Sequence, residues 1–417
     1  MNRDAIRSFI KEHGLEAFQR EFKVMINEGT LLPNGQKVRL DPSRLSFRSM
    51  WEGMVGPVDM TLPWGSNASM QEASALDYTG FPTATGELIS RVMISGYETR
   101  RGIADMLVPV TDRPDTLTER IMGWTAFSSP SITLPGQPYD LADFGEKYVT
   151  FEQALHNKKE GIEIAVTEEV VRFDQTRQIL QKAGDVGMSI QTERERRTVR
   201  AVLGVGLDTG TVQNYVYFPS GVDSALYTAG QNNLRTNAVP IYNHPGKTVD
   251  SVLEDYTDIQ EVLTVHAQNI KDDRQIGTTR PIAWMPDTLL APVSLAATAA
   301  RIINSTEIRY TSTERTAGTN PDINTIGGNL LSAMFNAFGG QVPTPMTSVY
   351  VDEVSSTVWI MFDRQRTFVR MEVFPFQTFR APAGYGWNRD ILTSVRAREW
   401  SRVVAKEFRT SIRNNGA

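Results

Sequence analysis

Residues 147–204 decide the fold: KYVTFEQALHNKKEGIEIAVTEEVVRFDQTRQILQKAGDVGMSIQTERERRTVRAVLG. The first part alternates, with Val149, Phe151 and Leu155 on one face of an extended segment. After the turn-forming Asn157–Gly161, the run Ile162, Ile164 and Val166 repeats the two-residue period. From about Phe173 to Gly204 the period changes to 3.6, with Ile179, Ala183, Val186, Ile190, Ala201 and Val202 near one stripe and Asp174 placed as a start signal. A helix of that length spans roughly 45 Å at about 1.5 Å per residue. Gly184 and Gly187 lie inside it, where each costs about 1 kcal/mol relative to alanine, and they mark a bend or a close approach. The run Glu193–Arg197 alternates in sign, which predicts a solvated, salt-bridged face rather than a basic binding patch.

Upstream of this stretch, Phe127–Leu134 reads as one extended segment, and Leu134-Pro135-Gly136-Gln137-Pro138-Tyr139 is turn chemistry before the chain returns through Lys147–Leu155. The reading is a long β-hairpin within residues 120–165. An isolated two-stranded ribbon is marginally stable in water, so this one needs contact area from neighbouring subunits. Candidate inter-subunit contacts are Leu134, Pro135, Gly136, Pro138 and Tyr139 at the turn, with Val149 and Phe151 on the returning limb.

Residues 1–119 read as an N-terminal helix and an extended arm. Ile6, Phe9, Ile10, Leu15, Phe18 and Phe22 follow helical spacing in one or two short amphipathic helices broken near Gly14. From Gly29 to about Gly96, Pro, Gly, Ser and Asn are punctuated by single large apolar residues, including Trp51, Met60, Trp64 and Phe81. Such a segment cannot bury its own anchors. Trp51 and Trp64 are therefore expected to insert into grooves of the rest of the subunit or of a neighbour, and they join the candidate contacts.

Downstream, residues 205–347 read as a mixed domain with helices at Val249–Gln268 and Asp287–Ile303 and a buried strand at Pro281–Pro286. Residues 348–417 supply strands at Thr347–Asp352 and Ser356–Phe374, then a strand or helix over Asn388–Thr410, and are expected to pack back onto an earlier domain. The fold class is α+β.

Composition narrows the function. The 417 residues are 40% hydrophobic and 22% charged, as in an ordinary globular protein. The formal net charge of -5 argues against a coat that grips nucleic-acid phosphates, which needs a net basic face. There is no cysteine, which excludes thiol nucleophiles, Cys-ligated zinc and disulfides. The N-terminus lacks the apolar run of a secretory signal, and no stretch reaches the roughly 20 apolar residues of a membrane span. Synthesis in the cytoplasm, with no membrane partner, is expected.

Sites of chemistry are scarce. The four histidines, His13, His156, His244 and His266, have no metal-ligand spacing. Gly204–Gly210 resembles a dinucleotide loop, but it closes a helix where that mechanism needs a strand before and a helix after. Asp250, Glu254, Asp255 and Asp258 fall at helical spacing and read as an exposed helix start. No catalytic residue, cofactor or metal is expected, although a hydrolase using a carboxylate pair in residues 206–347 is the reading from a different class.

The order of these elements resembles the major capsid proteins of tailed phages, of the Hong Kong 97 type, a fold shared with encapsulins. The local matches are Lys147–Phe151 running through Ile162–Val170, then Thr192–Gly204, Trp284-Met285-Pro286-Asp287, Trp359–Arg364, Gly386–Ile391 and Val395–Ile412. The resemblance covers residues 100–417. It implies an extended loop at 120–165, a peripheral domain with a long helix at 166–204, an axial domain at 205–347 and a return to the peripheral domain at 348–417. It implies a structural shell protein of the virion rather than an enzyme, a homo-oligomer of hexamers and pentamers in an icosahedral capsid around double-stranded DNA that it meets only by weak, non-specific proximity. An encapsulin-like compartment is the alternative of the same fold. Some members weld their shells through a Lys–Asn bond, but no Lys lies between Arg120 and Glu146, so no crosslinking is expected. Residues 1–95 lack sustained heptads, which implies a separate scaffolding protein, alongside a portal and a possible decoration protein.

Overall fold

The structure is a computed structural model. It describes residues 3–27, 30–31, 37–38, 45–54, 75–100, 102–112, 121–122, 149–150, 158–205, 215–217, 223–225, 232–234, 240–242, 252–254, 256–269, 271–272, 280–281, 286–304, 307–310, 324–327, 342–381, 391–405 and 410–414. The chain is mixed helix and sheet, the expected α+β class, and divides into two compact units. One comprises Met1–Gly102, Lys159–Glu193 and Phe374–Trp400, and the other Ile103–Lys158, Arg194–Val373 and Ser401–Ala417.

The first unit is built on helices. Arg3–His13 and Leu15–Asn27 are separated at Gly14, whose φ of 83° suits a residue without Cβ. Where the expected extended arm is described it holds two helices instead, Phe47–Met54 and Ala75–Thr99. Gly and Pro suggested the opposite, but the second of these helices accommodates Pro82 within it. Of the large apolar residues that looked like isolated anchors, Trp51 and Phe81 join a core in which Phe18, Phe22, Phe47, Leu88, Ile89 and Met93 pack with Val166, Val171, Ala183, Val395 and Ala397, while Met60 and Trp64 lie outside the described residues.

The long helix is Thr176–Val202, preceded by the short helix Glu168–Arg172. Asp174 lies in the left-handed region at φ 47°, and its Oδ1 accepts hydrogen bonds from Ser46 Oγ and Thr176 Oγ, both at 2.8 Å. Asp174 thus marks the helix start, tied to the N-terminal helices through Ser46. Gly184 and Gly187 prove to be points of close approach. A Cβ on Gly187 would overlap the Met93 carbonyl oxygen, and one on Gly96 would overlap that of Gly184.

In the second unit a four-stranded sheet has the order Thr344–Ser348, Thr288–Pro292, Trp359–Phe362, Ser411–Asn414. The first pair is parallel and the others antiparallel. Leu289, Ala291, Trp359 and Met361 face one cluster with Ile259, Ile302 and Ile412, while Leu290, Ile360 and Phe362 face another with Val199, Val202, Phe368 and Val403. Residues 288–292 were expected to open a helix. They form a fully buried strand bounded by Pro286 and Pro292, and the helix Ala296–Asn304 follows. The other expected helix begins later than the sequence suggests, at Tyr256. Asn388–Thr410 resolves into the strand Ile391–Ala405, and Thr344–Ser348 is the strand that precedes a short helix at Val349–Asp352. Of the expected strand Pro281–Pro286, residues 282–285 lie outside the described residues.

Candidate functional site

The base of the expected ribbon is described. Ile121–Met122 pairs antiparallel with Val149–Thr150 in the register Ile121↔Thr150 and Met122↔Val149. The returning limb is also paired at Val149↔Tyr217, so the base belongs to a small sheet continued by Tyr215–Tyr217 and Asp223–Ala225. Lys158–Thr167 belongs to a different sheet, at its edge beside Ile391–Ala405. Of the candidate contacts, Val149 is in this base. Leu134, Pro135, Gly136, Pro138, Tyr139, Phe151 and Trp64 lie outside the described residues.

Trp51 takes the first of the two places open to it. Its side chain is only 7% exposed and meets Phe81 edge-on at 4.9 Å, inside its own unit. Little of its indole is left to offer a neighbour.

The charged run at the end of the long helix corrects the expectation of a solvated face. Arg194, Glu195, Arg197 and Arg200 are buried. Arg194 Nη2 and Arg370 Nη2 both donate to Asp105 Oδ1 at 2.5 Å, and Glu372 lies 3.9 Å from each guanidinium. Ser348 Oγ donates to Glu195 Oε1 at 3.3 Å, and Arg196 Nε and Arg200 Nη1 donate to Glu353 Oε2 at 2.9 and 3.4 Å. Arg197 Nη2 donates to Ser401 Oγ at 3.3 Å. Burial pushes the pKa of the Arg402 guanidinium down to about 9, which still leaves it charged at neutral pH. The partners come from segments far away in sequence, so the local alternation of sign could not reveal them. The net stability of such buried pairs is small once desolvation is counted, but removing one partner leaves a buried charge uncompensated.

This arrangement braces a sheet. Gly204, at φ 70°, ends the helix in a Schellman pattern, with Gly204 N donating to Ala201 O and Val205 N to Arg200 O. That is a helix stop rather than a phosphate cradle. Asp258 Oδ2 accepts from Glu254 N at 2.7 Å, so these acidic residues bond the start of their own helix, while Asp250 and Asp255 lie outside the described residues. His13 stacks on Phe9 at 4.6 Å. Among the described residues, no group of three or more His, Asp or Glu is placed to hold a metal ion, and no helix is long and apolar enough to cross a membrane.

Residues 154–414 match the family described as phage capsid protein, well over half of the chain. The chain belongs to the phage capsid protein family. It is a structural protein of the phage head, and this match favours the head over an encapsulin-like compartment. No curated protein matches the sequence. Among solved structures, this capsid protein is similar to the virus-like particle from Pyrococcus furiosus, at 11% identity over 79% of this chain and 99% of that one, with a TM-score of 0.40. It is similar to Mycobacterium phage Ogopogo at 13% identity, covering 76% and 92% with a TM-score of 0.38. It is also similar to the capsid of Myoviridae phage XM1 at 12% identity, covering 74% and 90% with a TM-score of 0.35.

Proposed function

We propose that copies of this chain close into hexamers and pentamers of an icosahedral head, interlocked by the extended loop at 120–165. The observation that carries this reading is the antiparallel closure Ile121↔Thr150 at the loop's base, in a chain of the phage capsid family. Residues 123–148 connect those paired limbs in sequence. A ribbon of that kind gains stability chiefly from contact with another surface. The tip residues Leu134, Pro135, Gly136, Pro138 and Tyr139 lie over a neighbouring subunit, with Val149 and Phe151 on the limb and Trp64 contributing from the N-terminal region.

The work of such a subunit is done by interfaces, and it needs no catalytic group. A separate scaffolding protein directs assembly in the host cytoplasm, a portal occupies one vertex, and a decoration protein can follow. Packaged DNA touches the shell without being gripped, in keeping with the net charge of -5. Deleting residues 131–145 tests the interlock. The expected product folds locally but makes no closed particles by negative-stain electron microscopy, and normal shells from that deletion would overturn the reading.

A further inference from the structure

The strands Phe368–Arg380 and Ile391–Ala405 have a second face in the first unit. Val395 and Ala397 are buried in the core of that unit, with Phe376 and Leu392 half-buried against it. Alternation sends Arg396, Arg398 and Trp400 to the opposite side. There the Arg398 guanidinium lies over two rings, 4.0 Å from the Phe379 centroid and 4.5 Å from that of Phe374, and Arg396 is 5.8 Å from Phe379. Phe374 meets Trp400 edge-on at 5.5 Å. Arg396 is exposed, and Arg398, Phe374 and Phe379 are half-buried. Among the described residues no carboxylate pairs with Arg396 or Arg398, and Arg398 Nε is buried without a hydrogen-bond partner. On the neighbouring strand, Gly161 lies tight against this one, where an added Cβ would be 2.8 Å from the Ala397 carbonyl oxygen and 3.2 Å from Arg398 Cβ.

Such a face combines two uncompensated cations with aromatic rings, the residue types that dominate binding energy at protein interfaces. Its natural complement is an acidic segment that also carries aromatic residues. The loop supplies one. From Ile121 to Glu146 there is no Lys or Arg, and the only charges are Asp140, Asp143 and Glu146, with Tyr139 and Phe144 among them. The paired base at Ile121↔Thr150 leaves enough chain on each limb to reach about 40 Å when extended.

We propose that the Arg396–Arg398 aromatic face receives the acidic segment Asp140–Glu146 from the loop of a second copy of the chain. The proposal rests on the reading of the loop as an interlock, and it names the surface that the loop meets.

The cysteine-free sequence makes the test direct. Arg396→Cys is combined in turn with Asp140→Cys, Asp143→Cys and Glu146→Cys in the full chain, and shells are assembled, oxidised and run on a non-reducing gel. At least one pair is expected to give a ladder of multimers that the single variants lack. Monomer alone from all three pairs, whether unlinked or linked within one chain, overturns the proposal. A second arm reverses the charges. Arg396→Glu with Arg398→Glu, and separately Asp140→Lys with Asp143→Lys, should each lower the yield of closed particles about tenfold, and the two sets together should restore much of it.

If subunits carrying both sets fold yet assemble no better than either alone, the seat is wrong. Normal shells from the Arg396→Glu, Arg398→Glu chain that fail to retain DNA would assign the face to nucleic acid and overturn the proposal. If that chain does not fold, the crosslinking decides. An intact effect of the 131–145 deletion alongside absent crosslinks would sink this seat while leaving the interlock standing.

Discussion

Replacing Gly187 with alanine and, separately, Gly184 with alanine should move stability in opposite directions. Both glycines lie within Thr176–Val202, and alanine gains about 0.8–1 kcal/mol of helix propensity at either. At Gly184 the added Cβ meets only Val92 Cγ1 at 3.8 Å, an ordinary contact, so the gain survives and Gly184→Ala stabilises by up to about 1 kcal/mol. At Gly187 the Cβ overlaps the Met93 carbonyl oxygen and lies 2.7 Å from Tyr97 N. Both are backbone atoms of Ala75–Thr99, so no rotamer change relieves the overlap and the two helices must separate. Overpacking costs about 1–3 kcal/mol, and an overlap with backbone takes the upper part of that range, which exceeds the propensity gain and leaves Gly187→Ala destabilised by roughly 1–2 kcal/mol. Urea unfolding of dilute, unassembled subunits, followed by circular dichroism, reads the difference without the linkage that assembly adds. Gly187→Ala unfolding at or above the wild-type midpoint, or Gly184→Ala falling as far as Gly187→Ala, would refute the reasoning.

Asp105→Asn should destabilise the second unit by about 1–3 kcal/mol, less than for a fully buried partner because the Asp105 side chain is 57% exposed while Arg194 and Arg370 are buried. An unchanged urea midpoint would mean that Asp105 does not compensate these cations. Trp51→Ala should cost about 3–5 kcal/mol in the isolated subunit, as expected for an aromatic core residue. Wild-type thermal stability with impaired assembly would instead make Trp51 an inter-subunit anchor. The Thr167 hydroxyl, the backbone N–H of Glu169 and the Arg172 charge hold the Glu169 carboxyl below its ordinary range. Thr167→Val should therefore raise the Glu169 pKa in an NMR titration, and no upward movement would contradict the assignment. The stabilisation linked to Glu169 is full above the pKa of the unfolded carboxyl and is lost as pH falls through the lower folded one.

The long helix was legible because its stripe of Ile179, Ala183 and Ile190 faces one core, and Gly184 and Gly187 left a bend or a close approach open, of which the structure has the close approach. Asp174 signalled the helix start, but its left-handed conformation and bond to Ser46 depend on a segment 128 residues away. The helix Ala75–Thr99 was hidden by its glycines and Pro82. Gly96 is there because Gly184 of the facing helix crosses against it, and a single-strand pattern cannot report a crossing. The same distance effect concealed the charged network. Arg194 is stabilised by Asp105 and Glu372, both remote in sequence, whereas local alternation predicts solvent as the partner. At the loop, the turn residues Leu134–Tyr139 suggested a ribbon, and the pairing at Ile121↔Thr150 supplies its closed base. The further pairing of Val149 with Tyr217 had no local signal.

Electron microscopy of the purified full-length chain, expressed with a scaffolding protein from the same phage, tests the central claim most directly. The account predicts closed isometric particles whose walls resolve into hexamers and pentamers of this one polypeptide. A chain that stays monomeric at high concentration with that scaffold present would contradict it.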